Sequence, residues 1–541
     1  MFDGGDTAEG LAARKADAHR PLAQPPGGRR GAAQRAPGEA GEALPVARRP
    51  PWRQGETAQA VQRREEEAFA EWLAATDKRL EEALKLEAGD AAENEAEAKL
   101  PASSLQPAPC LYEHNLEVLR QVWRSVEFAD VCIILVDVRF PPLHLNERLV
   151  EMAIESGCVP VVALTKCDLV PARELEGWSE RIKTQLPVLG GAVVGVAAPP
   201  RRRVGPGDAA AARRAAAEAK LAAARTRAAL LSACLKAVDA AAERLTGPAL
   251  ELARRSAFER DAAEAIDAAD AEATAAEARL AELDEASDDG IGIPVGDYGE
   301  ESEEDEQEKG DECNDESDVT LEDEVVAVHA LADEEGAETR EAAGAGDDAD
   351  TTGGKKRRMD ACTIALIGHP NQGKSTLLNA LVGRKRVSVS RTPGHTKHIQ
   401  TIFLASGVLL LDSPGIVAPR IGVSRPLQVI GQLAPTSALR EPFSALRYFA
   451  ERCEPPLHEF YRLEDARRQL LLDGETSEQS DDVGTGPPEW TPMALCEAFA
   501  HRRGWTVGRF GRPDAYRAAL ALLRDGLEGL GPRLYWTSGS A

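Results

Sequence analysis

Three short strings carry the chemistry that this chain could perform. Residues 368–375 read GHPNQGKS, residues 412–415 read DSPG, and residues 165–168 read TKCD. In the first, Gly368 and Gly373 flank four residues and lead into Lys374 and Ser375, a spacing that lets backbone N–H groups turn inward around phosphate oxygens. The candidate phosphate-binding set is Gly368, Asn371, Gln372, Gly373, Lys374, Ser375 and Thr376. Lys374 is placed to bridge β- and γ-phosphates, and the Ser375 hydroxyl to meet Mg²⁺. In the second string, Asp412 can reach the same metal through water, and Gly415 can offer its N–H to a γ-phosphate with no Cβ in the way. In the third, Asp168 can accept from guanine N1–H and the 2-amino group. Adenine lacks both donors, so a site built this way selects GTP and GDP over ATP. Lys166 can lie across the base and ribose edge, and Thr165 stands where asparagine is commoner.

Between the first two strings lies RTPGHTK (391–397), with Thr396 as the candidate residue that completes the Mg²⁺ shell and senses the γ-phosphate, and Thr392 as its rival. The expected catalytic set is Lys374, Thr396, Gly415 and Asn371, and the expected metal set is Ser375, Thr396 and Asp412. Ile416 follows the DSPG glycine and has no group that could orient an attacking water. A small turn touching the guanine oxygen is expected after GAVVGV, at Ala197, although no serine is present there.

These pieces must be held by one sheet. TIALIG (363–368) precedes the phosphate loop and STLLNALVG follows it, the strand–loop–helix context that such a loop requires. VCIILVDV (131–138) and VPVVALTK (159–166) are apolar runs with a helical stretch between them, a βαβ rhythm that implies a covered parallel sheet. TIFLA and VLLLD suggest a strand pair bent at Ser406–Gly407. The base-recognition string precedes the phosphate loop, the reverse of the ordinary order. One domain of circularly permuted connectivity is the simplest reading, since the ends of compact domains lie at the surface and often close together.

Composition sets the limits of that domain. The formal charge is −26, yet residues 281–350 hold 29 acidic and two basic residues, so the remainder is almost neutral. The expected organisation is a largely disordered region 1–110 containing a charged helix from about Thr57 to Glu97, with residues 1–55 too poor in large apolar groups to order. A first part of the nucleotide-binding domain follows at 111–200, opening with a helix over Leu111–Val126. An Ala-rich helical and acidic disordered insertion occupies 201–360, the second part of the domain 361–425, and a helical C-terminal region 426–541, with a polar linker near 474–489. The nine cysteines show no CxxC spacing, and Cys132, Cys158, Cys167 and Cys362 read as small core residues of a reducing compartment. No apolar run approaches the ~18 residues that span a bilayer; an opening with Asp3, Asp6 and Glu9 and no apolar h-region argues against a signal peptide, and the early acids argue against a transit peptide.

The chain resembles the circularly permuted GTPases of the YlqF/YawG group. The supporting strings are LYEHNLEVLRQVWRSVEFADVCIILVDVRFP, GHPNQGKSTLLNALVGRKRVSVSRTPGHTKHIQT, LDSPGIV, LQVIGQLAP, EPFSALRYFAER, CEAFAHRRGW and DAYRAA, which are distributed over 111–200 and 361–530. The resemblance implies an α/β fold: a circularly permuted P-loop GTPase domain with a parallel-rich sheet flanked by helices, a helical C-terminal region and a long helical and acidic insertion. It also implies slow GTP hydrolysis and a switch role in ribosome assembly or a neighbouring process. The expected location is the nucleus or nucleolus, with the cytoplasm as the alternative. Asn371 matches a family asparagine similar to those that support K⁺ beside the phosphates, and a hydrophobic residue stands in the family where Ile416 stands here. The expected partners are guanine nucleotide, a pre-ribosomal particle or structured RNA, and basic proteins, with no membrane. Basic clusters at Arg201–Arg203, Lys355–Arg358 and Arg384–Arg386 are candidate RNA contacts. A nucleotide-binding scaffold with little turnover is the competing reading.

Overall fold

The computed structural model describes residues 18–22, 40–51, 53, 55–97, 110–196, 209–242, 252–285, 362–382, 400–405, 408–434, 436, 439–473, 489–508 and 511–539. In chain order these form β1 (Glu42–Ala43), α1 (Ala58–Glu97), α2 (Leu116–Phe128), β2 (Val131–Asp137), α3 (Pro141–His144), α4 (Glu147–Glu155), β3 (Val159–Thr165), α5 (Ala172–Gln185) and β4 (Val193–Gly195). There follow α6 (Ala209–Ala242), α7 (Leu252–Glu285), β5 (Cys362–Gly368), α8 (Lys374–Val382), β6 (Gln400–Ala405), β7 (Val408–Asp412), β8 (Arg420–Ile421) and α9 (Arg425–Ile430). The last elements are α10 (Phe443–Ala450), α11 (Leu457–Phe460), α12 (Glu464–Asp473), α13 (Pro492–Arg502), β9 (Thr506–Val507), β10 (Arg512–Pro513) and α14 (Ala515–Glu528). The acidic stretch 286–350, the linker 474–488 and the bend at Ser406–Gly407 lie outside the described residues.

Six strands form one sheet in the order β4-β3-β2-β5-β7-β6. Every neighbouring pair is parallel except β6 and β7, which pair antiparallel. The apolar runs explain the placement: β2 and β3 are buried along their whole length, as strands covered on both faces must be. On one face, α6 and α7 lay Leu230, Leu231, Cys234, Phe258 and Ala262 against Val131, Ile133 and Leu135, with Leu377 and Leu381 of α8 in the same cluster. On the other, Trp123 of α2, Leu149 of α4 and Trp178 of α5 share a core with Phe449, Phe499, Leu522 and Trp536 from the C-terminal part. An α/β sheet, mostly parallel and flanked by helices, is what the βαβ rhythm calls for.

Two local readings differ from the structure. The helix expected over Leu111–Val126 begins at Leu116 because Asn115 caps it, its side chain accepting the Glu117 N–H at 2.9 Å. Residues 40–49 lie within the stretch expected to be disordered, yet they are part of the fold. β1 pairs with β8, Ala47 O accepts from Trp123 Nε1 at 2.9 Å, and Arg49 pairs with Glu65 and Glu127, each at 2.7 Å. Leu44, Val46 and Ala47 are buried. Backbone pairing and one arginine do here what a longer apolar run does elsewhere.

Candidate nucleotide-binding site

Strand register brings the three strings to one edge of the sheet. Thr165 lies opposite Asp137, Leu135 opposite Gly368, and Leu366 opposite Asp412. The C-terminal ends of β3, β2, β5 and β7 therefore sit side by side, the edge at which open α/β sheets bind ligands.

The phosphate corner is built from contiguous chain. Gly373 has φ +91°, a conformation that favours glycine, and α8 starts at Lys374, so its N-terminal dipole faces the loop. Asn371 also adopts positive φ, at 60°. Gln372 is buried and turns back into the loop, its Oε1 accepting the His369 N–H at 3.0 Å. A glutamine can replace the usual small residue here because its amide serves the loop's own backbone. Lys374 donates to Gly368 O at 3.1 Å and His369 O at 2.7 Å. Burial pushes its pKa down to about 8, against the pull of Asp412. Gly415 closes the corner: a Cβ there would lie 2.8 Å from both Lys374 Nζ and Pro370 N, so only glycine lets the DSPG turn approach.

Ser375 Oγ donates to Asp412 Oδ2 at 3.1 Å, while Asp412 Oδ1 is buried with no hydrogen-bond partner among the described residues. Burial raises the Asp412 pKa, opposed by Lys374 and Ser375. A hydroxyl beside a carboxylate with one unmatched buried oxygen is the hard-oxygen donor set that suits Mg²⁺, so the residues fit the expected ion. Ile416 is fully inside the main core, its N–H bonded to Gly368 O at 3.2 Å.

The base corner is assembled from distant chain. Lys166 has φ +59°, and Asp168 is exposed just beyond it. Loss of water around its carboxyl raises the Asp168 pKa, against its own backbone N–H and the charge of Arg139. Thr165 Oγ1 donates to Val136 O at 3.3 Å, tethering the turn to β2. Lys166 Nζ lies 2.8 Å from Asp137 Oδ2 and 3.0 Å from Gln432 Oε1. Asp137 is buried and clasped by Arg139, whose Nη2 lies 2.8 Å from Oδ2 and whose own N–H donates to Oδ1 at 3.0 Å. Burial alone would raise that carboxyl's pKa, but Arg139 and Lys166 outweigh it and hold it well below the usual range. The C-terminal part completes the corner. Arg139 O accepts from Trp536 N at 2.8 Å, and Gly529 packs against Leu169, where a Cβ would come within 2.4 Å of Cδ2.

The structure thus brings Thr165, Lys166, Asp168, Gly368, Asn371, Gln372, Gly373, Lys374, Ser375, Thr376, Asp412 and Gly415 to neighbouring strand ends. Thr396, Thr392, Ala197 and the three basic clusters fall outside the described residues. Sequence reasoning assigned no role to Asp137, Arg139 or Gln432. The first two were signalled by an acid and a base closing an otherwise apolar strand.

Residues 363–440 match the family model described as 50S ribosome-binding GTPase. Over most of its length the chain is similar to guanine nucleotide-binding protein-like 1. The protein from Macaca fascicularis is 30% identical over 491 residues, and that from Mus musculus 28% identical over 493, each alignment covering 90% of this chain and 64% of the relative. The chain is a homologue of guanine nucleotide-binding protein-like 1 and carries a GTPase domain. It spans 64% of the length of these relatives. Large subunit GTPase 1 from Schizosaccharomyces pombe is 39% identical over 167 residues, 31% of this chain and 25% of that protein. These likenesses accord with the YlqF/YawG resemblance. The family model covers the phosphate loop and DSPG but not TKCD at 165–168, so the base corner stands on its own geometry. Among the described residues no helix is long and apolar enough to cross a membrane.

Proposed function

We propose that this chain binds guanine nucleotide and hydrolyses GTP slowly, as a switch in ribosome assembly or a related nuclear or nucleolar process. The observation that carries this reading is the convergence of TKCD, GHPNQGKS and DSPG at adjacent strand ends. The chain order of β3 before β5, inside one sheet, supports a circularly permuted G domain, with parts at 111–200 and 361–425, an insertion at 201–360 and a helical region at 426–541. The ribosomal role rests on the words of the matched family model and on the name of Large subunit GTPase 1.

In this reading Asp168 accepts from the guanine edge, while Lys166 lies along the base and ribose. The loop amides and Lys374 hold the β- and γ-phosphates, and Gly415 N–H meets the γ-phosphate. Ser375, Asp412 and Thr396 would hold Mg²⁺, which would supply positive charge at the phosphates. Water attacks the γ-phosphorus as its bond to the β–γ bridging oxygen breaks. Ile416, buried in the core, gives that water nothing to bond to. Slow turnover follows, and K⁺ beside Asn371 would add charge at the phosphates. The burial of Ile416 also favours the second reading, a nucleotide-dependent scaffold with little turnover.

Multiple-turnover GTP hydrolysis, measured in K⁺ and in Na⁺ with and without ribosomal particles, separates the two. The switch reading expects turnover that rises with K⁺ or particles and loses its K⁺ dependence in Asn371→Ala. Tight GTP binding with no turnover under any of these conditions supports the scaffold.

A further inference from the structure

The base turn is held by a residue from the far side of the phosphate motifs. α9 ends in a full Schellman closure: Gln432 N–H bonds to Val429 O at 2.9 Å and Leu433 N–H to Gln428 O at 2.8 Å. The left-handed position of that motif usually belongs to glycine, because a Cβ is strained there. Here Gln432 occupies it, at φ +58°. The adjacent glycine serves a different purpose. A Cβ on Gly431 would lie 2.2 Å from Leu143 Cδ2, and its carbonyl oxygen lies 2.7 Å from His144 Nε2. The turn is pinned, and a strained side chain is kept at the one place where it reaches the base corner. There Gln432 Oε1 meets Lys166 Nζ at 3.0 Å. Asp137, on the other side of that amine, is already clasped by Arg139. A neutral acceptor fixes the amine without adding a charge to the cluster.

We propose that Gln432 is a positioning residue for Lys166, so that affinity for the guanine nucleoside is set in part by the segment that leaves the DSPG turn. The inference rests on the guanine-site reading above. It makes the end of α9 part of the nucleotide site, and any partner that displaces α9 loosens the base corner while leaving the phosphate corner intact.

The test uses the full chain, with GDP and inorganic pyrophosphate as probes, each with Mg²⁺, and thermal melting alongside. Gln432→Gly relieves the backbone and removes the acceptor. The expected result is an unchanged or raised melting temperature, GDP binding weakened about five-fold, the loss of one net hydrogen bond, and unchanged pyrophosphate binding. Gln432→Glu keeps an acceptor and restores GDP affinity to at least the wild-type value. Unchanged GDP binding in Gln432→Gly and in Gln432→Ala overturns the inference, as does equal weakening of GDP and pyrophosphate, which would mark a merely structural role. If Gln432→Gly does not fold, Gln432→Ala against Gln432→Glu makes the same distinction. Wild-type protein that binds pyrophosphate but shows no preference for GDP over ADP overturns the guanine reading itself, and the inference with it.

Discussion

The phosphate corner and the base corner lie side by side on one sheet edge but are made in opposite ways. Gly368 to Ser375 form a single turn between β5 and α8, closed by Gly415 only a strand away. The base corner needs Asp137 and Arg139 from β2 and its loop, Lys166 and Asp168 after β3, Gln432 after α9, and Gly529 and Trp536 near the end of the chain. Backbone geometry defines the first, whereas side chains gathered over several hundred positions define the second. On the proposed function, grip on phosphate is intrinsic to a short segment, and choice of base depends on how the C-terminal part is docked.

The largest expected effect breaks the base corner alone. Asp168→Asn turns an acceptor pair into a mixed donor and acceptor, which should cost on the order of a thousandfold in GTP affinity and shift preference toward xanthine nucleotide. Pyrophosphate binding should not change. Competition titrations decide this, and equal GTP affinity in variant and wild type rules out the assignment of Asp168.

Next is Ile416→Ala, which probes whether the phosphate corner is as self-contained as it looks. The side chain is in the main core, so truncation should lower stability by about 2–5 kcal/mol. Turnover per folded molecule should stay near wild type, since no hydrogen bond to water is lost. Denaturant melts paired with single-turnover rates measure both. A collapse of rate with stability intact would show that the isoleucine shapes the reaction site.

A smaller effect comes from pH. The Lys374 pKa is lowered from 10.5 to about 8. The unfolded chain therefore holds this proton more tightly than the folded one between about pH 8 and 10.5, and this group's contribution makes stability rise with pH across that window. Nucleotide binding has the opposite sign, because phosphates favour the charged amine. Affinity should be level below about pH 8 and fall by at most about tenfold per unit above it. Calorimetric titration of GDP from pH 7 to 9 checks this, with Lys374→Arg expected to flatten the profile. The smallest effect is Thr165→Ala, which removes one 3.3 Å hydrogen bond to Val136 O and should weaken GDP binding by about 1 kcal/mol or less.

The same contrast governs what could be read from sequence. The phosphate loop was legible because its conformation needs glycine at fixed positions and a strand and helix at either end, all within about twenty residues. Fully apolar runs announced β2 and β3. The acid and base at the end of β2 hinted at the clasp of Asp137 by Arg139, two positions apart, but the reach of Gln432 to Lys166 was not legible, since no local pattern records a contact across 266 positions. Ile416 was read as an absent glutamine, and its burial came only with the fold. Residues 40–49 were read from poor apolar content, which says nothing of a backbone partner at β8. α6 and α7 were recognised as helix-forming, but their alanine-rich faces gave no sign that they cover one side of the sheet.

The junction of β2 with β5 has a consequence for biosynthesis. Asp130 and Thr363, 233 positions apart, fasten the start of this central strand pair. At ribosomal elongation rates β2 must wait roughly ten to fifty seconds for its neighbour to emerge. Throughout that interval the nascent polypeptide carries VCIILVD with one edge unpaired, the kind of segment that recruits other strands. Production of this protein should therefore depend on holdase chaperones, and on the pace of translation across the intervening stretch, more than its final stability would suggest.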